Sequence, residues 1–362
     1  MLTNRMISPA AAVAEDRQTG GLVVRALQPG DRQRWDVFVA ACPEATFFHR
    51  AGWEEVIQRT FGHATHFLYA EADGVIQGVL PLGHINSRLF GKALISLPFC
   101  VQGGIAAGTV EARLALERAA CELAGSLEVD YLEMRNPVRR HPVWAVNDSL
   151  YVGFCKAIDP DPAVNLKAIP RKQRAMVRKG IETGLVAQED EDIDRLFVAY
   201  SESVRNLGTP VLPRRYFRIL KEVFGQDCRV LTVTLDESLV ASVLSFYFRD
   251  QVLPYYGGGT ELARQVKGND FMYWELLRRS GEQGIRIFDY GRSKVGSGSY
   301  HFKKNWGFTP QPLYYEYFLV KARQLPNINP TNPRYRLFID LWKHLPLSLS
   351  RWLGPLIARD LG

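Results

Sequence analysis

Residues 285–308 read I-R-I-F-D-Y-G-R-S-K-V-G-S-G-S-Y-H-F-K-K-N-W-G-F. Ile285, Ile287 and Phe288 have the β-branched and aromatic composition of a short buried strand, ending at Asp289-Tyr290-Gly291. The small residues from Ser293 to Ser299, with the cations Arg292 and Lys294, predict a polar loop. Tyr300 to Trp306 reads as a short helix that Gly307 stops. Strand, glycine-bearing loop and cationic helix bring backbone N–H groups and fixed positive charges together, an arrangement suited to an anion.

The elements before this stretch occur twice. Phe67–Glu71 and Val75–Leu82 read as a hairpin about Ala72-Asp73-Gly74. Ala93–Leu97 and Val129–Arg135 read as strands on either side of a helix, Glu111–Leu127. The second set comprises a hairpin, Val230–Leu235 with Leu239–Phe248, then the strand Val252–Tyr256. A helix, Phe271–Gln283, and the strand Arg286–Tyr290 follow. Pro98 and Pro254 stand 156 residues apart, as do Glu133 and Asp289, whereas Ile76 and Leu239 are 163 apart. This predicts two copies of one α/β unit separated by a small indel, although two unrelated α/β halves would give a similar pattern. The expected domains are a tail at 1–20, units at 21–162 and 163–325, and a C-terminal tail at 326–362, with the proline-rich joint Asp159-Pro160-Asp161-Pro162 between the units.

Just past the joint, Arg171, Arg174 and Arg178 sit at i, i+3 and i+7 on a predicted helix that Gly180 or Gly184 stops. By spacing alone they form a concentrated cationic face that reads as solvated surface, with side chains whose planar forks suit bidentate contacts.

Composition sets the outer limits. At 46% hydrophobic, the chain can build sizeable cores and is not a disordered polymer. Its five cysteines show no C-x-x-C pairing, and its seven histidines no ligand spacing, so neither a disulfide framework nor a metal site is expected. Residues 1–20 lack the pattern of a secretory signal, and no stretch is long enough to span a bilayer, so a cytoplasmic protein is expected. The net charge of +7 suits an anionic partner such as a phosphate-bearing substrate, RNA or an acidic membrane surface. DNA is not an expected partner.

F-D-Y-G-R-S followed by F-K-K-N-W-G-F resembles the F-D-x-G-x-(S/T)…F-K-x-x-(F/W)-G signature of the FemAB-like acyltransferases, within the wider GNAT-fold group. The match is nearest to the FemAB-related proteins found with exosortase/PEP-CTERM systems. T-F-F-H-R-A-G-W, Thr46 to Trp53, resembles the family's aromatic-rich entry to a helix, with His49 where the family usually has glutamine. The resemblance spans roughly 47–318. It implies two tandem GNAT-like domains sharing a cleft and an acyl or aminoacyl donor used as co-substrate, with no tightly bound cofactor. It also implies an acceptor amine on a cell-envelope precursor, free or lipid-linked. By the same resemblance Lys303 is the catalytic cation. Tyr256 of Y-Y-G-G-G supplies a hydroxyl in the cleft and Asp289 braces the glycine loop. Trp53, Arg171, Arg174, Arg178, Arg292, Lys294 and Phe302 line the substrate.

In GNAT-like folds a Q/R-x-x-G-x-(G/A) element opens a helix toward the donor's pyrophosphate. Here it reads Gln265-Val266-Lys267-Gly268-Asn269-Asp270, so Gln265, Lys267, Gly268 and Asn269 are the expected donor contacts. Asp270 departs from the pattern: an acid there suits a helix N-cap and repels a pyrophosphate, which puts acyl-CoA in question and leaves aminoacyl-tRNA open.

Finally, Tyr335–Gly362 is rich in large apolar residues interspersed with Arg336, Lys343, Arg351 and Arg359, and Pro346 divides it. Two arrangements fit: a tail lying on the anionic inner face of the membrane, or one packed across the second domain.

Overall fold

A computed structural model describes residues 21–87, 90–325 and 333–361. The expected tail 1–20 and the linker 326–332 lie outside the described residues.

The first unit runs β1 (Leu22–Ala26), α1 (Arg32–Ala41), α2 (Gly52–Phe61), β2 (Ala64–Ala72), β3 (Val75–Ser87), β4 (Gly91–Ser96), β5 (Ala106–Ala107), α3 (Val110–Ser126) and β6 (Tyr131–Asn136). Connecting elements follow: β7 (Ala145–Asn147), β8 (Tyr151–Ala157), α4 (Pro162–Ala168) and α5 (Arg171–Glu182). The second unit runs β9 (Val186–Asp190), α6 (Asp194–Asn206), α7 (Arg214–Phe224), β10 (Cys228–Leu235), β11 (Ser238–Phe248), β12 (Gln251–Gly259), α8 (Glu261–Val266), α9 (Gly268–Glu282) and β13 (Ile287–Lys294). It is followed by α10 (Gly298–Asn305), β14 (Pro310–Pro312) and β15 (Tyr314–Leu319), and then by the tail helices α11 (Pro333–Lys343) and α12 (Leu347–Ala358).

One pairing pattern is used twice. β1, β2, β3 and β4 pair antiparallel in turn, and β4 then pairs parallel with β6. β9, β10, β11 and β12 repeat this, with β12 parallel to β13. Even the hairpin turns agree: Asp73-Gly74 and Asp236-Glu237 are both left-handed, the geometry of tight two-residue turns. The duplication read from the sequence offsets is therefore present as shared topology.

The sheets do not follow the chain, however. One has the order β1-β2-β3-β4-β6-β15-β7 and the other β14-β8-β13-β12-β11-β10-β9. Each unit lends the other its closing strand. β8 leaves the first unit to pair with β13, and β15 returns from the second to pair with β6. β13 consequently extends through part of the expected loop as far as Lys294. β8 supplies partners there, with Arg292 opposite Gly153, Ser293 opposite Val152 and Lys294 opposite Tyr151. The chain kinks between Asp289 and Arg292, where Gly291 takes φ +67, a conformation glycine reaches without steric cost.

An aromatic core joins the units. Phe47 stacks on Phe246 at 4.4 Å and Trp53 lies 5.2 Å from Phe224, so the α2 region of one unit packs on α7 and β11 of the other. The tail helices pack on the outside of α6. Arg351 Nε–H donates to Ser201 Oγ (2.9 Å), and beyond α12 the ring of His63 in the first unit meets the Arg359 carbonyl at 2.7 Å. On its inner face, then, the tail packs against the protein.

Candidate active site

Both parallel pairs are short. β4 and β6 stay in register over Ala93–Ile95, and β12 and β13 over Gln251–Val252, before the strands diverge. In the first unit the chain itself fills the gap. Gly103 and Gly104 donate backbone N–H groups to the Arg135 carbonyl, and Arg135 Nη1–H donates to the Cys100 carbonyl at 2.7 Å. The buried Arg135 also pairs with Glu133 at 2.6 Å. In the second unit β12 instead runs on to Gly259. The residue in the place of Glu133 is there Asp289, and the cation near it is Lys303.

Lys303 reaches back from α10 to the kink of β13. Its ammonium donates to the carbonyls of Gly291 (3.2 Å) and Arg292 (3.0 Å), over the rings of Phe154 (5.6 Å) and Tyr290 (5.5 Å). An ammonium has three N–H donors, so one remains for an oxygen of a ligand. Burial lowers the Lys303 pKa to about 8, against the opposing pull of Asp289 and with a further push from Arg292. Asp289 accepts the Gly291 N–H at 2.8 Å, which fixes the kink, and burial raises its own pKa. Lys303, Asp289 and Arg292 therefore meet in one place. Ser293, the serine of the same motif, is buried with an unpaired hydroxyl.

The exchanged strands complete this place. Arg292 Nη1–H donates to Tyr315 Oη of β15 at 2.6 Å, and its guanidinium lies 4.5 Å from the ring centre of Tyr151 of β8. Tyr315, Tyr151 and Phe154 went unnoticed in the sequence because the strands carrying them belong to the other unit's sheet. Tyr255 was also missed. In the β11–β12 ladder Leu244 faces Tyr256 and Ser245 faces Pro254, leaving Tyr255 as the extra residue of a bulge within electrostatic reach of Arg292.

Other expected residues lie elsewhere. The hydroxyl of Tyr256 meets that of Tyr216 at 2.8 Å, in a cluster with Tyr200 and Phe217 rather than beside Lys303. Trp53 is wholly buried and its indole N–H donates to the Phe47 carbonyl, so no face remains for substrate: it is core. His49 is likewise a brace. Its Nδ1 accepts the Thr46 N–H, so Nε2 bears the proton and donates to the Gly104 carbonyl, and burial lowers its pKa to about 4. Phe302 packs among Tyr273, Tyr290 and Trp306, and Lys294 is half-buried at the end of β13.

Arg171, Arg174 and Arg178 line a shallow depression on the outer face of α5, while Gln173, Val177 and Gly180 face inward. That helix is locked to α9 and α10 through Asp270, whose Oδ1 accepts from Gln173 (2.7 Å) and from the Trp306 indole (3.0 Å). Asp270 is thus not the N-cap. It stands in the first turn of α9, behind Lys267, which caps the helix in a left-handed conformation. Gly268 is boxed in, since a Cβ there would come within 2.2 Å of Val240. Asn269 packs beside Gly259, and Gln265 is exposed. The helix start expected to meet the donor therefore carries a buried carboxyl in its first turn, held by two N–H donors.

Residues 165–304, from α4 through α10 and including Lys303, match the model of the acetyltransferase (GNAT) domain family. No curated protein matches the chain in sequence. Among solved structures, FemX is similar at 15% identity, with a TM-score of 0.66 over 88% of this chain and all of that one. A conserved protein of unknown function from Bacteroides thetaiotaomicron gives a TM-score of 0.54 at 12% identity, over 82% of this chain and 99% of that one. The C-terminal domain of a putative lysylphosphatidylglycerol synthetase from Agrobacterium fabrum gives 0.51 at 12% identity, over 80% of this chain and 92% of that one. The chain thus has a mixed α/β fold of two GNAT-like units, and its second unit carries the acetyltransferase-domain match.

Proposed function

We propose that the protein transfers an acyl or aminoacyl group from an activated donor to an amine of a cell-envelope precursor, in the gap of its second unit. The observation that carries this reading is Lys303, a half-buried ammonium with two donors tied to the β13 kink and one to spare. Such a transfer needs no enzyme nucleophile. The neutral amine attacks the carbonyl carbon, and the C=O π electrons move to oxygen. The tetrahedral intermediate then collapses by breaking the bond to the leaving oxygen or sulfur, and the amine gives up its proton. A preorganised cation beside the developing oxyanion, or beside a substrate phosphate, stabilises charge as it forms. Arg292, held by Tyr315 and Tyr151, adds a second fixed positive charge. Arg171, Arg174 and Arg178 supply an exposed phosphate-binding face for the acceptor.

The F-D-Y-G-R-S…F-K-K-N-W-G-F resemblance supports an acceptor related to peptidoglycan or exopolysaccharide. Asp270 favours a donor that does not seat a pyrophosphate on α9, and so aminoacyl-tRNA. The family match over 165–304 supports the second donor, acyl-CoA. The test is transfer of radiolabel from each donor to a panel of envelope-precursor amines. Label on an acceptor establishes the reaction and identifies the donor. No transfer from either donor leaves a non-catalytic binding module.

A further inference from the structure

Helix α12 is apolar on the wrong side for a helix that merely packs on its own domain. Its protein-facing stripe is made of small residues: Ser350, Gly354 and Ala358, spaced by four, are the ones buried. They let the helix lie close, and a Cβ on Gly354 would come within 2.6 Å of the Val211 backbone nitrogen. Of its large apolar residues, Leu347, Leu353 and Ile357 are half-buried and three others point away. Leu349, Trp352 and Leu356, at i, i+3 and i+7, share the opposite face, with Trp352 68% and Leu356 66% exposed. Leu341 of α11 is 63% exposed as well. Single exposed leucines are ordinary, but a contiguous stripe with a tryptophan at its centre marks a contact surface.

We infer that this stripe is a docking face for an anionic lipid surface, with Trp352 and Leu356 entering the interfacial layer. Charge complementarity selects the occupant. The tail from 333 to 361 carries five basic residues against two acidic ones. Asp360 is occupied by a hydrogen bond from Ser87 at 2.7 Å, and Asp340 pairs with Lys343 at 3.5 Å, which leaves the tail net basic. Arg218 lies exposed on α7, which follows the Val211 segment that α12 covers, while on the same helix Arg214 pairs with Asp194 and Arg215 donates to the Thr60 carbonyl. A net-basic tail bearing a tryptophan-centred apolar stripe is what anionic headgroups attract. Two copies of this face would instead bring like charges together, which disfavours self-association. The inference does not depend on the transfer reaction.

The test uses the full chain with vesicles of phosphatidylcholine alone and mixed with phosphatidylglycerol. The mixed vesicles are expected to co-sediment the protein, with binding weakened by salt. Trp352→Ser combined with Leu356→Ser is expected to weaken it by about tenfold or more, with an unchanged melting temperature, because both side chains are exposed. Leu341→Ser alone gives a smaller loss. Brominated lipid should quench wild-type fluorescence more than that of Trp352→Phe. Absence of binding to mixed vesicles, or equal binding by the double variant, would overturn the inference. So would a dimer in solution that the double variant dissolves, since the face would then join copies of the chain.

Discussion

Lys303 has a pKa lowered to about 8, and the sign of its titration separates its possible roles. If the ammonium stabilises the oxyanion, the active form is the protonated one. Activity should then fall as pH rises through about 8, and Lys303→Arg should move that falling limb upward. A general base would give the reverse, a rate rising through the same pH, so the pH–rate profile separates the roles. Burial also ties Lys303 to stability. Because its folded pKa lies below the unfolded value, the charged form is disfavoured by folding below about pH 8, and that cost is relieved as pH rises toward the unfolded pKa. Between pH 7 and 9 the wild type should therefore gain on Lys303→Met by on the order of 1 kcal/mol in denaturant unfolding, discounted for partial exposure. No change in the difference between the two proteins would place Lys303 in solvent.

At the scale of elements, the sequence shows what is local and hides what is exchanged. The hairpins, the helices about α3 and α9 and the strand leading to Asp289 are legible because turn residues and periodicity are properties of contiguous chain. β8 is not: Y-V-G-F-C-K-A has a glycine inside and a lysine near its end, and it becomes a strand only because β13 lies beside it. For the same reason the extension of β13 to Lys294 reads as loop until its partner is known. The cationic stripe of α5 was legible from spacing alone, and its arginines should act on acceptor binding. Arg174→Ala or Arg178→Ala is expected to raise KM with kcat little changed, by up to roughly thirty- to a hundredfold for one lost charged hydrogen bond. The glycines of Y-Y-G-G-G serve packing. A Cβ at Gly258 would come within 2.5 Å of the Ala199 carbonyl oxygen on α6. Gly258→Val should cost about 1–3 kcal/mol in thermal unfolding by forcing that helix outward, and an unchanged melting temperature would refute the close approach.

For the whole molecule, the strand exchange and the shared aromatic core make two units one cooperative body. Neither sheet is complete without a strand from the other unit, and Phe47 stacks across on Phe246. Circular dichroism and tryptophan fluorescence should therefore report one coincident unfolding transition, and two separated transitions would contradict the coupling. Duplication followed by divergence also explains why only one gap is proposed as active: the first is filled by Cys100, Gly103 and Gly104 bonded to Arg135, whereas the second has Lys303 at its kink. The role of Lys303 is tested by transfer of a labelled aminoacyl or acyl group to an envelope-precursor amine by wild type and by Lys303→Ala at pH 7. Transfer by the wild type is expected, with a loss of roughly thirty- to a hundredfold in the variant and its fold intact. Unchanged turnover by Lys303→Ala would contradict that role.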